Sequence, residues 1–473
     1  MTARVVAVDQ GTTSTRALVL DDRGARVVAR RGHETRREGA GRVEQDADVL
    51  LANVAACLEA AGPADAIGLA NQGESCLAWD ARTGAPVSPV IVWQDARTED
   101  ALRALDSAGH GARARRVSGL PLDPYFSASK LGWILREIPA ARAAHEDGRL
   151  RLGTTDAFFL DRLAGCFATD VATASRTGLM ALDRCAWDAE LCALHGVPMA
   201  CLPEIRATTA GFGAVGGVPV AAAITDQQAA LHGHGCAAPG DLKATLGTGA
   251  FALGIAAGRP DEGALGGLLP TVAWDLGDGP VHAVDGGIYD VGAAVDWAVR
   301  AGLAAGLGDF DGFDGPPAID RGIVFVPALS GLAAPWWDRT ARPVLAGLGA
   351  ADGTREIRRA LLEGIALTLA RLVGAMRGVL GAEGGPLSLD GGLSGNAAFT
   401  QFLADAMGEP VAVASEPELT ALGAAHLAAR GAGLPLAAPA PEQRLVTPRD
   451  APREAWAARF EAAVDAARRL GRA

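Results

Sequence analysis

The chain is poor in cysteine, in basic charge and in long apolar runs, and each shortage excludes a class of protein. Seven of the 473 residues are cysteine, an odd number without a C-x-x-C pair, which favours free thiols in a reducing cytoplasm. The 43 basic side chains are outnumbered by 55 acidic ones, giving a net charge of −12, so we expect neither nucleic acid nor a membrane surface as partner. No apolar run approaches the roughly 18 residues of a membrane span. The start MTARVVAVDQG also lacks the longer apolar core of a secretory signal, so we expect a cytoplasmic protein.

The overall composition is that of a folded globular protein. Hydrophobic residues make up 49% and charged residues 21%, which excludes wholesale disorder. At roughly 150 residues per domain, the length predicts two large domains or about three smaller ones. The 61 glycines follow no collagen-like period and indicate many tight turns and close backbone approaches.

The first part of the chain predicts a sheet covered by helices. Short apolar runs at Val5–Val8, Ala17–Leu20 and Arg26–Ala29 are separated by Gly and Asp turns, a pattern typical of an antiparallel meander. Asp46 is placed as the N-cap of a helix, and Ala66–Ala70 is a continuous apolar run typical of a buried strand. Strands followed by helices predict an α/β architecture with helices on both faces of the sheet.

The second half repeats this opening. The segment LKATLGTGAFALGI at 242–255 predicts a strand, a Gly-Thr-Gly turn and a second strand, as at the N-terminus. This weak internal repeat predicts two domains of one general design, 1–235 and 236–473, with a boundary near His232–Gly240. Further on, the patterns predict a helix over Thr354–Gly381, a strand at Leu387–Asp390, and a helix over Asn396–Met407 ended by a left-handed Gly408.

Two small-residue hairpins suit a nucleotide triphosphate. Backbone N–H groups in tight turns bind phosphate oxygens, hydroxyl groups add donors, and glycine lets the backbone approach closely. Asp9, at the end of the first strand, would hold Mg²⁺ largely through waters. A single Asp-x-Gly-Thr turn is common, but here it is paired with 247–249 (Gly-Thr-Gly) and 390–392 (Asp-Gly-Gly).

Ten segments distributed along the chain resemble one known family. They are VDQGTTSTRALVLD from Val8, GRVEQDAD from Gly41, IGLANQGESCLAWDARTG from Ile67, IVWQDART from Ile91, DPYFSASKLGWIL from Asp123, TDQQAALHG from Thr225, KATLGTGAF from Lys243, FVPALSGLAAPWWD from Phe325, LDGGLSGN from Leu389 and TALGAAHLA from Thr420. The chain resembles the FGGY carbohydrate kinases, and within them the glycerol kinases. The resemblance implies a duplicated actin-like (ribonuclease H-like) ATPase fold of two domains flanking a cleft. It also implies ATP-dependent phosphorylation of a polyol or sugar hydroxyl.

The resemblance assigns a role to Asp226. It matches the general base of the family, which accepts the proton of the substrate hydroxyl as that oxygen attacks the γ-phosphate. From spacing alone, Asp226 could equally be a helix N-cap.

Other matching positions divide into three groups. The substrate pocket comprises Glu74, Trp93, Tyr125, Asp226 and Gln227. The ATP site comprises Thr12, Thr13, Arg16, Thr248, Gly249, Gly392 and Asn396. The magnesium ligand is Asp9. Asp296 stands where many relatives carry Gln, so its contact with the nucleotide is left open.

The chain also departs from the glycerol kinases. Gly73 stands where they place an Arg immediately before the Glu that is Glu74 here, which removes a forked donor and is expected to open volume. Leu329-Ser330 replaces an aromatic residue and Thr. The short segment Ala210–Val220 has no Lys or Arg, so regulation by a sugar bisphosphate is not carried over.

The leading hypothesis is therefore a kinase that uses ATP and Mg²⁺ to phosphorylate a terminal hydroxyl of a small polyol, with glycerol as the first candidate. Because of Gly73, a longer polyol or a ketose is the alternative acceptor. A non-catalytic sugar- or nucleotide-binding protein and an ATPase without a small substrate are alternatives of other classes. A homodimer is expected by analogy only.

Overall fold

The computed structural model describes residues 3–39, 41–381, 384–416, 418–436 and 442–472. Its contacts divide the chain into two compact units. The first, called unit 1, contains residues 1–235, 270–282 and 418–440. The second, called unit 2, contains residues 236–269, 283–417 and 441–473. Two segments from the second half of the chain thus belong with the first half.

Alternating strands and helices occupy the described residues up to 235. The strands are β1 Val5–Gln10, β2 Ser14–Asp21, β3 Gly24–Gly32, β4 Arg36–Glu38, β5 Arg42–Gln45, β6 Ala66–Asn71, β7 Cys76–Asp80, β8 Val90–Ile91, β9 Leu150–Thr154, β10 Ala168–Asp170, β11 Met180–Ala181, β12 Ala186–Trp187, β13 Glu204–Arg206, β14 Ala214–Val215 and β15 Val218–Thr225. The helices are α1 Ala47–Ala61, α2 Glu99–Ser107, α3 Gly111–Ser118, α4 Ser127–Glu137, α5 Pro139–Glu146, α6 Thr155–Ala164, α7 Val171–Ser175, α8 Ala189–His195 and α9 Asp226–Gly233.

The remaining elements lie in the second half of the chain. The strands are β16 Leu242–Leu246, β17 Ala250–Ile255, β18 Leu269–Asp275, β19 Pro280–Ile288, β20 Val324–Val326, β21 Val344–Ala346, β22 Leu387–Gly391, β23 Val411–Ala414 and β24 Gln443–Val446. The helices are α10 Gly292–Arg300, α11 Thr354–Leu380, α12 Ala397–Met407, α13 Leu419–Gly431 and α14 Arg453–Arg472.

The main sheet of unit 1 has the order β14-β15-β6-β1-β2-β3. The predicted meander is confirmed, because β1, β2 and β3 pair antiparallel in sequence. Strand β6 pairs with β1 in parallel, and β15 pairs with β6 in parallel. Both strands are buried almost throughout, as expected of strands covered on both faces. A second sheet has the order β4-β5-β8-β7-β9.

Helices cover both faces of the main sheet, as predicted. On one side, α1 begins at Asp46, whose side chain caps it by accepting from the amides of Asp48 and Val49, so the predicted N-cap is confirmed. On the other side, α13 packs against β1, β6 and β15. The approach is close because Gly68 has no side chain, and a Cβ there would overlap the carbonyl oxygen of Ala424. This contact explains why the segment that carries α13 belongs to unit 1.

In unit 2, the sheet runs through β19-β17-β16-β22-β23-β24. The predicted hairpin at 242–255 is confirmed as the antiparallel pair β16 and β17, and β22 joins β16 in parallel. The helices predicted over Thr354–Gly381 and Asn396–Met407 are α11 and α12, and Gly381 and Gly408 end them in the left-handed conformation. Among the described residues, no helix is long and apolar enough to cross a bilayer.

Candidate active site

Three parallel strands of unit 1 end side by side. The register places Gln10 of β1 opposite Asn71 of β6, and Thr225 of β15 opposite the same Asn71. The carboxyl ends of parallel strands are where α/β proteins bind ligands. Asp9, the loop after Asn71, and Asp226 therefore lie at one edge of the sheet.

The first glycine-threonine turn connects β1 to β2. The amide of Gly11 donates to the carbonyl of Ser14 over 3.1 Å, which closes the turn. The carbonyl oxygen of Thr12 faces three side-chain groups, from His33, Thr35 and Gln45, at 3.0, 3.4 and 2.7 Å. Thr13, at the tip, is exposed. These side-chain contacts fix the backbone of the turn, so the turn is preorganised for a ligand.

A buried row of amides supports the same turn. The Nε2 group of Gln72 donates to Oε1 of Gln45 over 2.8 Å and approaches Oε1 of Gln10 at 3.5 Å. Nε2 of Gln10 donates to the carbonyl of Gly11 over 2.8 Å. The network ties the loop after β6 to the turn after β1.

Asp9 lies in an acidic, nearly dry environment. Its side chain is 8% exposed, and Oδ2 lies 3.6 Å from Nη1 of Arg16, its cross-strand neighbour. The same Arg16 nitrogen pairs with Glu418 at 2.8 Å. The pKa of Asp9 is raised to about 7, chiefly by burial and also by the charge of Asp226, while Arg16 opposes the rise. Oδ1 of Asp9 is buried and accepts no hydrogen bond from the described residues.

Glu74 is held in a strained turn between β6 and β7. Its φ of 57° is unusual for a residue with a side chain, and its carbonyl accepts the hydroxyl of Ser127 over 2.9 Å. The carboxylate pairs with Nε of Arg176 over 2.7 Å, and both side chains are almost fully buried. The pKa of Glu74 is raised to about 7, chiefly by burial; Arg176 opposes this rise and the charge of Asp226 adds to it.

Two aromatic rings lie next to each other in the same unit. The rings of Trp93 and Tyr125 meet edge to face at 5.6 Å, and both residues are partly buried. Nε1 of Trp93 donates to Oγ1 of Thr12 over 3.0 Å, which connects this wall to the first turn. The buried ammonium of Lys130 donates to the carbonyl of Tyr125 over 3.0 Å and approaches that of Val92 at 3.4 Å.

Asp226 is the first residue of α9, and Thr225 is the N-cap residue. The N-cap role that spacing alone allowed for Asp226 is therefore wrong. One of its carboxylate oxygens accepts the amide of Gln227 over 2.7 Å. Since its charge raises the pKa of both Asp9 and Glu74, these three carboxylates are electrostatically coupled.

At the first side-chain position, Thr225 bounds the space that Gly73 leaves, and the expectation of added volume stays a prediction. A Cβ built on Gly73 would lie 2.8 Å from Oγ1 of Thr225, which is buried. No other described atom beyond the chain neighbours lies within 4 Å of that position. The hydroxyl of Thr225 thus occupies part of the space that Gly73 leaves.

In unit 2, the second glycine-threonine turn connects β16 to β17. The amide of Gly247 donates to the carbonyl of Gly249 over 2.8 Å. The carbonyl of Thr248 accepts from the amides of Val291 and Ala293 at 3.0 Å, and that of Gly247 accepts from Gly292 at 3.0 Å. Thr248 itself is exposed, so its side chain is accessible from solvent.

A second glycine turn follows the adjacent strand. The register places Asp390 and Gly391 of β22 opposite Thr245 and Leu246 of β16. Gly391 has a φ of 94°, and Gly392 begins a short 3₁₀ helix that runs to Gly395.

The side chain of Asn396 makes two hydrogen bonds within unit 2. Its Oδ1 accepts the amide of Phe399 over 2.8 Å as the N-cap of α12, and Nδ2 donates to the carbonyl of Phe310 over 2.9 Å. Both polar atoms of the Asn396 side chain are therefore used in holding the start of α12. Asp296 is exposed on α10.

Sequence reasoning did not identify several residues that contact the predicted site residues or Gly73. Among them are Arg176, which pairs with Glu74; Glu418, which pairs with Arg16; Lys130, which donates to the backbone of Tyr125; and Thr225, which faces Gly73. The signal for Lys130 and Thr225 was their presence inside quoted motifs. Arg176 and Glu418 lie far along the chain from their partners, and neither spacing nor periodicity connects them.

Comparisons with known proteins place the chain in a family. The model of the FGGY family of carbohydrate kinases matches residues 4–233 with its N-terminal domain and residues 242–432 with its C-terminal domain. A glycerol kinase of Xanthobacter autotrophicus is 40% identical over 449 residues, covering 90% of each chain. A glycerol kinase of Rhizorhabdus wittichii is 41% identical over 459 residues, covering 92% of this chain and 89% of the relative.

Solved structures agree with the predicted fold class. Glycerol kinase of Plasmodium falciparum with ADP superposes with a TM-score of 0.89 at 27% identity, covering 98% of both chains. A xylulose kinase of Lactobacillus acidophilus superposes with a TM-score of 0.86 at 20% identity, covering 99% of this chain and 98% of that one, which supports the fold alone. The predicted α/β fold of the sugar kinases is confirmed. With both family domains matched in order along most of its length, the chain belongs to the FGGY family of carbohydrate kinases.

Proposed function

We propose that this protein transfers the γ-phosphoryl group of ATP to a terminal hydroxyl of glycerol. The observation that carries the proposal is the cluster at one sheet edge of unit 1, where Asp9 and Asp226 lie at the ends of β1 and β15 and Glu74 lies in the loop after β6. The identity of about 40% to curated glycerol kinases over about 90% of the chain supports glycerol as the acceptor.

As a member of a kinase family, the chain uses ATP. We assign phosphate contacts to the turn at Thr12 and Thr13 with Arg16, and to the turn at Thr248 and Gly249. Backbone amides in such turns bind phosphate oxygens, and a guanidinium neutralises their charge. Gly392 and Asn396 are assigned to the adenosine pocket. Since the side chain of Asn396 caps α12, we assign its contribution to positioning the turn rather than to a direct side-chain contact.

Asp226 is assigned as the general base. Phosphoryl transfer passes through a loose transition state, so orientation and charge neutralisation contribute more than proton removal. A carboxylate at the start of α9 can orient the acceptor hydroxyl and accept its proton as the new O–P bond forms. Gln227 follows it on the same first turn and is assigned to the acceptor.

Glu74, Trp93 and Tyr125 are assigned to the acceptor pocket. A carboxylate accepts hydrogen bonds from hydroxyl groups, while the two rings cover the carbon skeleton and the phenol adds a polar group. The contact from Trp93 to Thr12 links this wall to the phosphate turn, so binding of the acceptor and of ATP act on one connected structure.

Mg²⁺ is part of the proposal, with Asp9 as its protein anchor. The residues fit, because Oδ1 of Asp9 is a buried carboxylate oxygen that accepts no hydrogen bond from the described residues. Magnesium keeps most of its waters and commonly takes one or two carboxylates plus phosphate oxygens. When bound, the ion neutralises charge on the transferred phosphoryl group.

A longer polyol or a ketose is the second candidate acceptor, because Gly73 places no side chain beside Glu74. The hydroxyl of Thr225 fills part of that space, and this favours an acceptor of the size of glycerol. The division into domains 1–235 and 236–473, the cytoplasmic location and the homodimer remain predictions.

The test is coupled ADP release from purified protein with Mg-ATP and a panel of glycerol, dihydroxyacetone, erythritol, pentitols and ketoses. We expect the largest kcat/KM with glycerol. Turnover confined to a longer acceptor would refute glycerol as the substrate, and ATP hydrolysis that no acceptor stimulates would refute the kinase assignment.

A further inference from the structure

The guanidinium of Arg176 touches two of the groups assigned to the acceptor. Its Nε donates to Oε1 of Glu74 over 2.7 Å. Its Cζ lies over the rings of Tyr125 and Phe126, 5.8 and 5.5 Å from their centroids, within the range of a cation–π contact. One side chain thus fixes the carboxylate and the phenol ring together.

Burial makes these contacts strong constraints. The side chains of Arg176 and Glu74 are 5% and 6% exposed, so solvent screens their attraction weakly. The N–H donors of a planar guanidinium have a fixed geometry. When one of them binds a carboxylate oxygen, the remaining lone pairs of the carboxylate point in a fixed direction. The direction in which Glu74 can accept further hydrogen bonds is therefore set by Arg176.

The backbone that carries Arg176 is itself immobilised. Arg176 follows α7, whose N-terminus is capped by Asp170 through the amides of Ala172 and Thr173 at 2.9 and 2.8 Å. At the other end, the hydroxyl of Ser175 lies 2.7 Å from that of Thr271. All of these polar groups are buried, so the helix presents the arginine in one orientation.

We propose that Arg176 is a positioning residue of the acceptor pocket, holding the Glu74 carboxylate and the Tyr125 ring in the arrangement that receives the acceptor's hydroxyl groups. This inference rests on the proposed function. Gly73 contributes no side chain to this pocket, so the orientation of Glu74 depends on Arg176.

The test compares the Michaelis constants of the two substrates in Arg176→Gln, Arg176→Lys and the wild type. We expect Arg176→Gln to raise the acceptor KM roughly 10- to 100-fold, the loss expected for a charge-assisted hydrogen bond, with little change in the KM for ATP. Arg176→Lys keeps the charge but not the fork, so it should restore part of the acceptor affinity. The control is Arg97→Gln, because Arg97 is an equally buried arginine of unit 1 that pairs with Asp95 and Glu44.

A merely structural role predicts a different pattern. In that case Arg176→Gln and Arg97→Gln would both lower the thermal midpoint and the active fraction, leaving the acceptor KM unchanged. An unchanged acceptor KM in folded Arg176→Gln overturns the inference. If that variant does not fold, because removing one partner of a buried ion pair is costly, the same criterion applies to Arg176→Lys.

The wild type separates this inference from the proposed function. If it phosphorylates another polyol instead of glycerol, the acceptor assignment fails, and Arg176 is tested with that polyol by the same criterion. If no acceptor in the panel stimulates the wild type, both the proposed function and the inference are overturned.

Discussion

The contact between Gly73 and Thr225 gives a sharp prediction. Gly73→Ala would place a methyl group 2.8 Å from Oγ1 of Thr225, closer than carbon and oxygen atoms normally approach. Thr225 is 1% exposed and immediately precedes Asp226, so the crowding falls directly beside the first turn of α9. The substitution should therefore impair catalysis through the general base.

The magnitude follows from the crowding. Inserting a methyl group into a packed site typically costs about 1–3 kcal/mol. If this cost falls on the transition state, kcat/KM for the acceptor falls roughly 5- to 150-fold. Thr225→Ala removes the obstructing hydroxyl, and it loses no capping bond, because the Thr225 side chain does not cap α9. The double variant should recover most of the loss.

The assay is a double-mutant cycle on kcat/KM, with thermal unfolding measured in parallel. We expect a coupling free energy of about 1–2 kcal/mol between positions 73 and 225, in the direction of rescue. The control is Gly211→Ala, where an added Cβ would have no described atom within 4 Å apart from chain neighbours. Strictly additive effects would refute the reasoning that the two residues share one space.

Three further predictions concern the base, the acceptor carboxylate and the second turn. Asp226→Asn should lower kcat roughly 10²- to 10⁴-fold, the usual contribution of a positioned base, with the KM for ATP nearly unchanged; near-normal turnover would exclude it as the base. The pKa of Glu74 is raised to about 7, so Glu74 is protonated below that pH and accepts fewer hydrogen bonds. The acceptor KM should therefore fall as the pH rises through 7. A Glu74→Gln variant whose acceptor KM still falls over this pH range would contradict the assignment. Gly249→Ala should lower the free energy of unfolding of unit 2 by about 1–3 kcal/mol and raise the KM for ATP, because the added Cβ would overlap the Ile288 carbonyl. The control is Gly378→Ala, whose added Cβ would have open space around it.

The local elements of this fold could be predicted from the sequence because their signals are local. Asp46 is the N-cap directly before α1, and Gly408 is the left-handed C-cap directly after α12, so each signal adjoins the helix that it bounds. The antiparallel order of β1, β2 and β3 follows from short turns between apolar runs.

The parts that sequence reasoning missed depend on contacts distant in the chain. Glu418 reaches Arg16 across 402 positions, and Arg176 reaches Glu74 across 102. No periodicity relates such pairs, so a buried arginine cannot be assigned to a carboxylate before the strands that carry them are placed. For the same reason, the space beside Gly73 could not be judged without knowing that Thr225 lies opposite.

Phosphorus NMR of the reaction products tests the central claim most directly. Protein incubated with Mg-ATP and glycerol should produce ADP and an equal amount of a phosphomonoester on a terminal carbon of glycerol, and Asp226→Asn should produce almost none. ADP accompanied only by inorganic phosphate would contradict the account, because it would show ATP hydrolysis without transfer to an acceptor.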